Sequence, residues 1–240
     1  MCAIFGSFNT SMFEVLYEAN KQRGNFASSI ISLSEDDQFI KKKKGDIDFD
    51  KYTHQPKTNY YLGHVQAPTS SMREYSYDTS HPFESLSWLV SHNGVLTNHK
   101  KLNNMYGLKT KVDTETIVNM LEYFTHIEHK KGKVLVNPKK IIKRTLEQLS
   151  GTYALSIVFC DTNEVFLARS GSLLHYNNNG DYSTLSGEGL KQLQEEIPQH
   201  LLRSDADWFK TWSTSGKRAD PYYQNSIPQY FWPYKENQFT

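Results

Sequence analysis

The sequence predicts an α+β fold, a four-layer αββα sandwich in which two antiparallel sheets face each other and helices cover their outer surfaces. Three observations predict it. Strand-like runs occupy both ends of the first 195 residues. Two amphipathic helical patterns lie between them. The turns inside each strand-rich half are short and polar, as antiparallel neighbours require.

Taken in order, Met1 to Phe8 is rich in β-formers and alternates, giving a first strand with Cys2 at its start. Residues 11–22 carry Phe13, Leu16 and Tyr17 at helical spacing and stop at Gly24. Phe26 to Leu33 and Gln38 to Lys43 form a hairpin around Ser34-Glu35-Asp36-Asp37; the run Lys41 to Lys44 is expected to be a solvated edge that discourages further pairing. Tyr60 to Val65 is the next strand, followed by a polar, flexible loop to about residue 82. Trp88 to Ser91 leads into His92-Asn93-Gly94, and a short helix runs from about Asn98 to Met105. Asp113 suits an N-cap, with Ile117, Met120, Leu121 and Phe124 on one face behind it. A second helix follows Pro138 through Ile141, Ile142 and Leu146, with Leu149 and a stop at Gly151. Tyr153 to Cys160, Glu164 to Arg169 and Leu173 to Asn177 complete the strands, the first two joined by Asp161-Thr162-Asn163.

Composition narrows the function. The 240 residues carry 27 Lys+Arg against 26 Asp+Glu, which argues against a nucleic-acid groove built on bulk positive charge. A hydrophobic share of 38%, with 13% aromatic, fits a folded globular chain rather than a disordered one. No window spans a bilayer, the N-terminus has no signal-peptide pattern, and two cysteines are too few for a disulfide framework, so a soluble cytoplasmic protein is expected. The histidines, including His64, His126 and His129, lack a cysteine or carboxylate cluster at ligand spacing and read as surface or packed residues. The glycines are scattered, without a phosphate-cradling loop. No metal and no cofactor is expected. Residues 1–195 form one domain. The 196–240 extension is rich in aromatics and prolines and either packs on the domain or docks a partner.

The position of one cysteine matters more than the count. Removal of Met1 would leave Cys2 with a thiol and an α-amine on one residue. A thiol near 8.5 and an amine near 7.7–8.0 exchange a proton at little cost, so a nucleophile and its base come from a single residue. Position two can also hold a cysteine by chance. Cys160, in an apolar run, reads as an inert buried thiol.

Five segments in order strengthen the first reading: Met1-Cys2-Ala3-Ile4-Phe5-Gly6, Gln22-Arg23-Gly24-Asn25, Gly63-His64-Val65-Gln66, His92-Asn93-Gly94-Val95-Leu96-Thr97-Asn98 and Asp113-Thr114-Glu115-Thr116. They resemble class II glutamine amidotransferase domains, as found in asparagine synthetase, glucosamine-6-phosphate synthase and glutamine phosphoribosylpyrophosphate amidotransferase. The likeness covers about residues 1–190, reaching Leu149 to Leu155 and Phe166 to Arg169.

The resemblance implies an N-terminal-nucleophile hydrolase fold and a specific chemistry. Cys2 would attack the amide of glutamine, with its own α-amine as base. Asn93 and Gly94 would form the oxyanion hole, although Asn-Gly alone also reads as a type I′ turn. Asp113 would hold the substrate's α-ammonium group, or serve only as a cap. Arg23 would favour the thiolate, or simply close a helix at the surface. His64 and Gln66 would face the substrate. Gln66 departs from the family, which usually has an arginine there for the α-carboxylate, and a neutral amide does not replace a bidentate ion pair. Three accounts stay open: Arg73 swings in, with Thr69 adding hydrogen bonds; substrate binding is weak; or the substrate lacks that carboxylate.

The expected protein is therefore a stand-alone glutaminase domain supplying ammonia to a separate synthase, since residues 196–240 are too few for the usual acceptor domain. It is expected to bind no nucleic acid directly and no membrane. The alternatives are an N-terminal-nucleophile amidohydrolase acting on another amide, and an inactive binding module.

Overall fold

The computed structural model describes residues 2–34, 37–52, 60–67, 74–132, 136–194 and 199–200. Short polar turns drive local antiparallel pairing, and the strands assemble into two sheets. The first half contributes β1 (Ala3–Ser7), β2 (Ala27–Leu33), β3 (Gln38–Lys44), β4 (Tyr60–Gln66), β5 (Phe83–Glu84) and β6 (Trp88–Leu96). The second half contributes β7 (Gly151–Phe159), β8 (Glu164–Ser170), β9 (His175–Tyr176), β10 (Tyr182–Ser183), β11 (Lys191–Gln192) and β12 (Gln199–His200). One sheet runs β11-β9-β10-β1-β4-β2-β3 and the other β12-β8-β7-β6-β5. The expected run Leu173 to Asn177 is a strand only at His175–Tyr176, and β12 pairs with β8 at Gln199↔Leu167. The remainder of the C-terminal extension, with its aromatic residues, lies outside the described residues.

Three apolar layers hold the sandwich together. Helix α1 (Thr10–Asn20), capped by the Asn9 side chain on the Met12 N–H at 2.9 Å, buries Phe13, Leu16 and Tyr17 against Phe5, Tyr61 and Val65 of the first sheet. Ile4, Leu33, Tyr60 and Leu62 meet Leu89, Val158, Val165 and Leu167 between the sheets. Outside the second sheet, α2 (His99–Tyr106), α3 (Asp113–Lys130) and α4 (Pro138–Leu146) cover Trp88, Val90, Leu155 and Ile157 with Leu102, Ile117, Leu121, Phe124 and Ile141. The predicted αββα layering is thus present, and each fully buried Leu or Ile contributes on the order of 1.5–3 kcal/mol. Among the described residues, no helix is long and apolar enough to cross a membrane.

Several local expectations need correcting. Lys42 is not on a solvated edge: although β3 is an edge strand, its side chain is buried, paired with Glu84 Oε1 at 2.7 Å and stacked over Tyr77 at 4.1 Å. Burial lowers its pKa, and the Glu84 partner opposes that shift. Pleating alternates the four lysines between faces, and Glu84 of β5 reaches Lys42 on one of them. Asp113 is not the N-cap of α3: Val112 holds that position, because Asp113 is drawn to the end of β6 instead. Helix α4 ends at Leu146 rather than at Gly151, which opens β7. Cys160 lies just past β7, and burial pushes its thiol up to about 12, as an inert thiol requires.

Candidate active site

Strand alternation assembles the site. On β4, Tyr60 and Leu62 face the opposite sheet while Tyr61 and Val65 face α1. His64 and Gln66 continue the first row, so both face the space between the sheets. On β1, Ile4 belongs to that space and Ala3 and Phe5 to the other side. Carried back one residue, the alternation turns Cys2 the same way, and the register Ala3↔Val65 sets it beside Gln66. On β6, Leu89 faces the first sheet, and Asn93 shares its parity. Cys2, His64, Gln66 and Asn93 therefore converge on one end of the inter-sheet space.

Each is held differently. The Arg23 Nε donates to the Cys2 carbonyl at 3.2 Å, fixing the backbone of Cys2 rather than acting as an isolated surface cation. Gly24 lies against the backbone of Gln66 and Ala67, where a Cβ would come within 2.6 Å of the Gln66 carbonyl oxygen, and the Phe26 N–H donates to that carbonyl at 2.9 Å. This close approach needs glycine and seats Arg23 near Cys2. Gln66 is only 1% exposed, so whatever it recognises is recognised in a largely dry setting. Asn93 is buried, and among the described residues its side chain makes no hydrogen bond, which leaves its amide for a ligand.

The Asn-Gly pair is not a turn. β6 runs unbroken from Trp88 to Leu96 and pairs with β7 through Asn93↔Ala154 and Gly94↔Tyr153. Gly94 has φ +153°, and a Cβ there would run into the Thr152 carbonyl, so the strand passes this point only as glycine. The tertiary pairing with β7 overrides the local turn preference.

Asp113 stands at the end of the same strand. Its Oδ2 accepts from the Leu96 N–H and its Oδ1 from its neighbour's N–H at Thr114, both at 2.9 Å, so the carboxylate is oriented before any ligand arrives. Thr69 and Arg73 lie outside the described residues.

Sequence reasoning missed a buried cluster behind the site. His64 stacks on His81 with ring centroids 4.0 Å apart, and its Nε2 lies 3.3 Å from the His92 carbonyl. His81 Nε2 is 3.0 Å, and His92 Nδ1 3.1 Å, from the Thr114 hydroxyl. Burial lowers the pKa of His92, with Asp113 and the Thr152 carbonyl opposing the shift. The signal available was weak: His81 stands in a stretch that reads as a polar loop, and Thr114 is one hydroxyl beside an acid. Among the described residues, no group of His, Cys, Asp and Glu could hold a metal ion.

Known proteins are similar to this chain in sequence and in fold. Glutamine–fructose-6-phosphate aminotransferase of Halalkalibacterium halodurans is 27% identical over 207 residues, covering 81% of this chain and 33% of the relative. The Staphylococcus aureus enzyme of the same name is 24% identical over 228 residues, covering 84% and 35%. This chain is homologous to class II glutamine amidotransferase domains. The solved structure of Bacillus subtilis glutamine phosphoribosylpyrophosphate amidotransferase shares the amidotransferase fold, with a TM-score of 0.60 at 18% identity, over 84% of this chain and 49% of that one. No family model matches the chain. The chain spans about a third of the length of the curated relatives it matches.

Proposed function

We propose that the protein hydrolyses glutamine through a thioester on Cys2 and passes the ammonia to a separate synthase. The observation that supports the reading is that strand register turns Cys2 and Asn93 toward one end of the inter-sheet space, while the Asp113 carboxylate is pre-oriented at the end of the strand that carries Asn93. Homology to glutamine-using enzymes supports the substrate.

The chemistry runs as follows in this reading. With Met1 removed, the Cys2 α-amine takes the thiol proton and the thiolate attacks the side-chain carbonyl carbon of glutamine. The Asn93 amide and the Gly94 N–H donate to the oxyanion that develops. The α-ammonium returns its proton to the nitrogen as the C–N bond breaks, ammonia leaves, and water then attacks the thioester to release glutamate and restore the thiol. Asp113 holds the substrate's α-ammonium group, and the Arg23 guanidinium keeps the Cys2 backbone in place. The α-carboxylate falls to Arg73 and Thr69, with Gln66 and His64 forming the wall. We assign the amino-accepting step to a partner synthase, to be identified by affinity capture of the intact protein from its native cell.

Buried, neutral Gln66 favours a second reading, an amidohydrolase whose substrate lacks a carboxylate at that point. Ammonia release from glutamine and a panel of simple amides, measured beside Cys2→Ala, separates the two. Glutamine preferred and the variant inactive is the expected result. Preference for another amide supports the second reading, and release that persists in Cys2→Ala overturns both. Intact-mass analysis should show Met1 absent, and its retention would block the amine.

A further inference from the structure

The two faces of β6 at its active end do different things: Asn93 faces the inter-sheet space, while His92 faces α3. We infer that Thr114 is a positioning residue that, by bridging His81 and His92, locks Asn93 on β6 to Asp113 on α3; this rests on the roles proposed above for those two residues.

The hydrogens of the cluster can be assigned from the acceptors. The Thr152 carbonyl only accepts, so the His92 Nε2, 3.4 Å away, carries a hydrogen. In the neutral ring, His92 Nδ1 is then a bare acceptor, and the Thr114 hydroxyl donates to it at 3.1 Å. The Thr114 oxygen in turn accepts from the His81 Nε2–H at 3.0 Å. His64 donates to the His92 carbonyl at 3.3 Å, tying β4 to the peptide that precedes Asn93. One hydroxyl thus fixes two imidazole rings, and the bond leaving His92 in each direction fixes the strand that carries Asn93.

The same chain makes the site responsive to protonation. His92 is faced from α3 by Thr114 and by Asp113, whose Oδ2 is 3.9 Å from Nδ1. From β7 it meets the Thr152 carbonyl, from residue 81 the His81 ring through Thr114, and from β4 the His64 ring. Were His92 to gain a proton at Nδ1, it would donate to Thr114. The Thr114 hydrogen would then turn to Asp113 Oδ1, 3.5 Å away. A cation beside Asp113 would compete with the substrate's ammonium group. Burial keeps the ring neutral, and the Thr114 donor adds to that preference.

Thr114→Val keeps the volume and removes the hydroxyl. Expected are an about ten-fold lower kcat/KM for glutamine, with an acid limb of the pH profile displaced to higher pH, and recovery of both in Thr114→Ser. A folded Thr114→Val with wild-type kcat/KM and pH profile overturns the inference. Imidazole ¹⁵N spectra of the unmutated protein give a readout independent of turnover. An Nε2–H tautomer of His92 upholds the chain and an Nδ1–H tautomer overturns it. Absence of any ammonia release from the wild type would sink the proposed function alone, leaving the tautomer to decide the chain.

Discussion

The space between the sheets has two ends built on the same strands with opposite chemistry. At one end Leu33, Tyr60, Leu62, Leu89, Val158 and Val165 close over one another. At the other, continuing the same rows, stand Cys2, His64, Gln66 and Asn93. Alternation decides only that a side chain faces inward. What it meets there depends on position along the strand, and buried polar groups survive where partners are supplied, as Thr114 and the Thr152 carbonyl do for His92. In the proposed function the apolar end supplies stability and the polar end supplies chemistry, so changes at the two ends should be separable.

The sharpest break is at the polar end. Cys2→Ala should reduce glutamine hydrolysis by at least about a thousand-fold, measured as ammonia release, with little change in melting temperature. Asn93→Ala, which removes one proposed oxyanion donor, should lower kcat by about 10²–10³ and leave the fold intact. At the apolar end the pattern reverses: Leu62→Ala should cost about 2–5 kcal/mol in urea unfolding, while kcat per folded molecule stays the same. Equal losses of stability and turnover in both Asn93→Ala and Leu62→Ala would erase the distinction.

The smallest expected effect is in pH. Burial holds the folded-state pKa of His92 below its ordinary 6.5. Its contribution to stability is therefore fully present above about pH 6.5 and is lost as pH falls through the lower folded value. Urea midpoints should drop on acidification in that window, and more shallowly in His92→Gln. Identical slopes for the two proteins would place the linkage elsewhere.

Much of this was legible in the residues. The helical faces of α1, α3 and α4, with Phe13, Ile117, Leu121 and Ile141, follow the 3.6-residue period and are buried as that period requires. Cys2, Asn93, Gly94 and Asp113 stood out as candidates because their types and order match a known chemistry. Other features escaped local reading. Asn93-Gly94 carries a turn preference that pairing with β7 overrides. Asp113 has the chemistry of a cap, yet the Leu96 N–H claims its carboxylate. Lys42 belongs to a run with every mark of a solvated edge, and Glu84, 42 residues onward in sequence, takes it inside.

By itself, the sequence determined the layers of this protein and singled out Cys2 as the candidate nucleophile, since periodicity and residue type are local properties that short-range sterics and solvation translate directly into strands, helices and faces. Only the tertiary structure decided which polar residues share one space. Register and sheet-on-sheet packing join β1, β4 and β6 across separations no local rule spans, and they gather His64, His81, His92 and Thr114 behind Asn93.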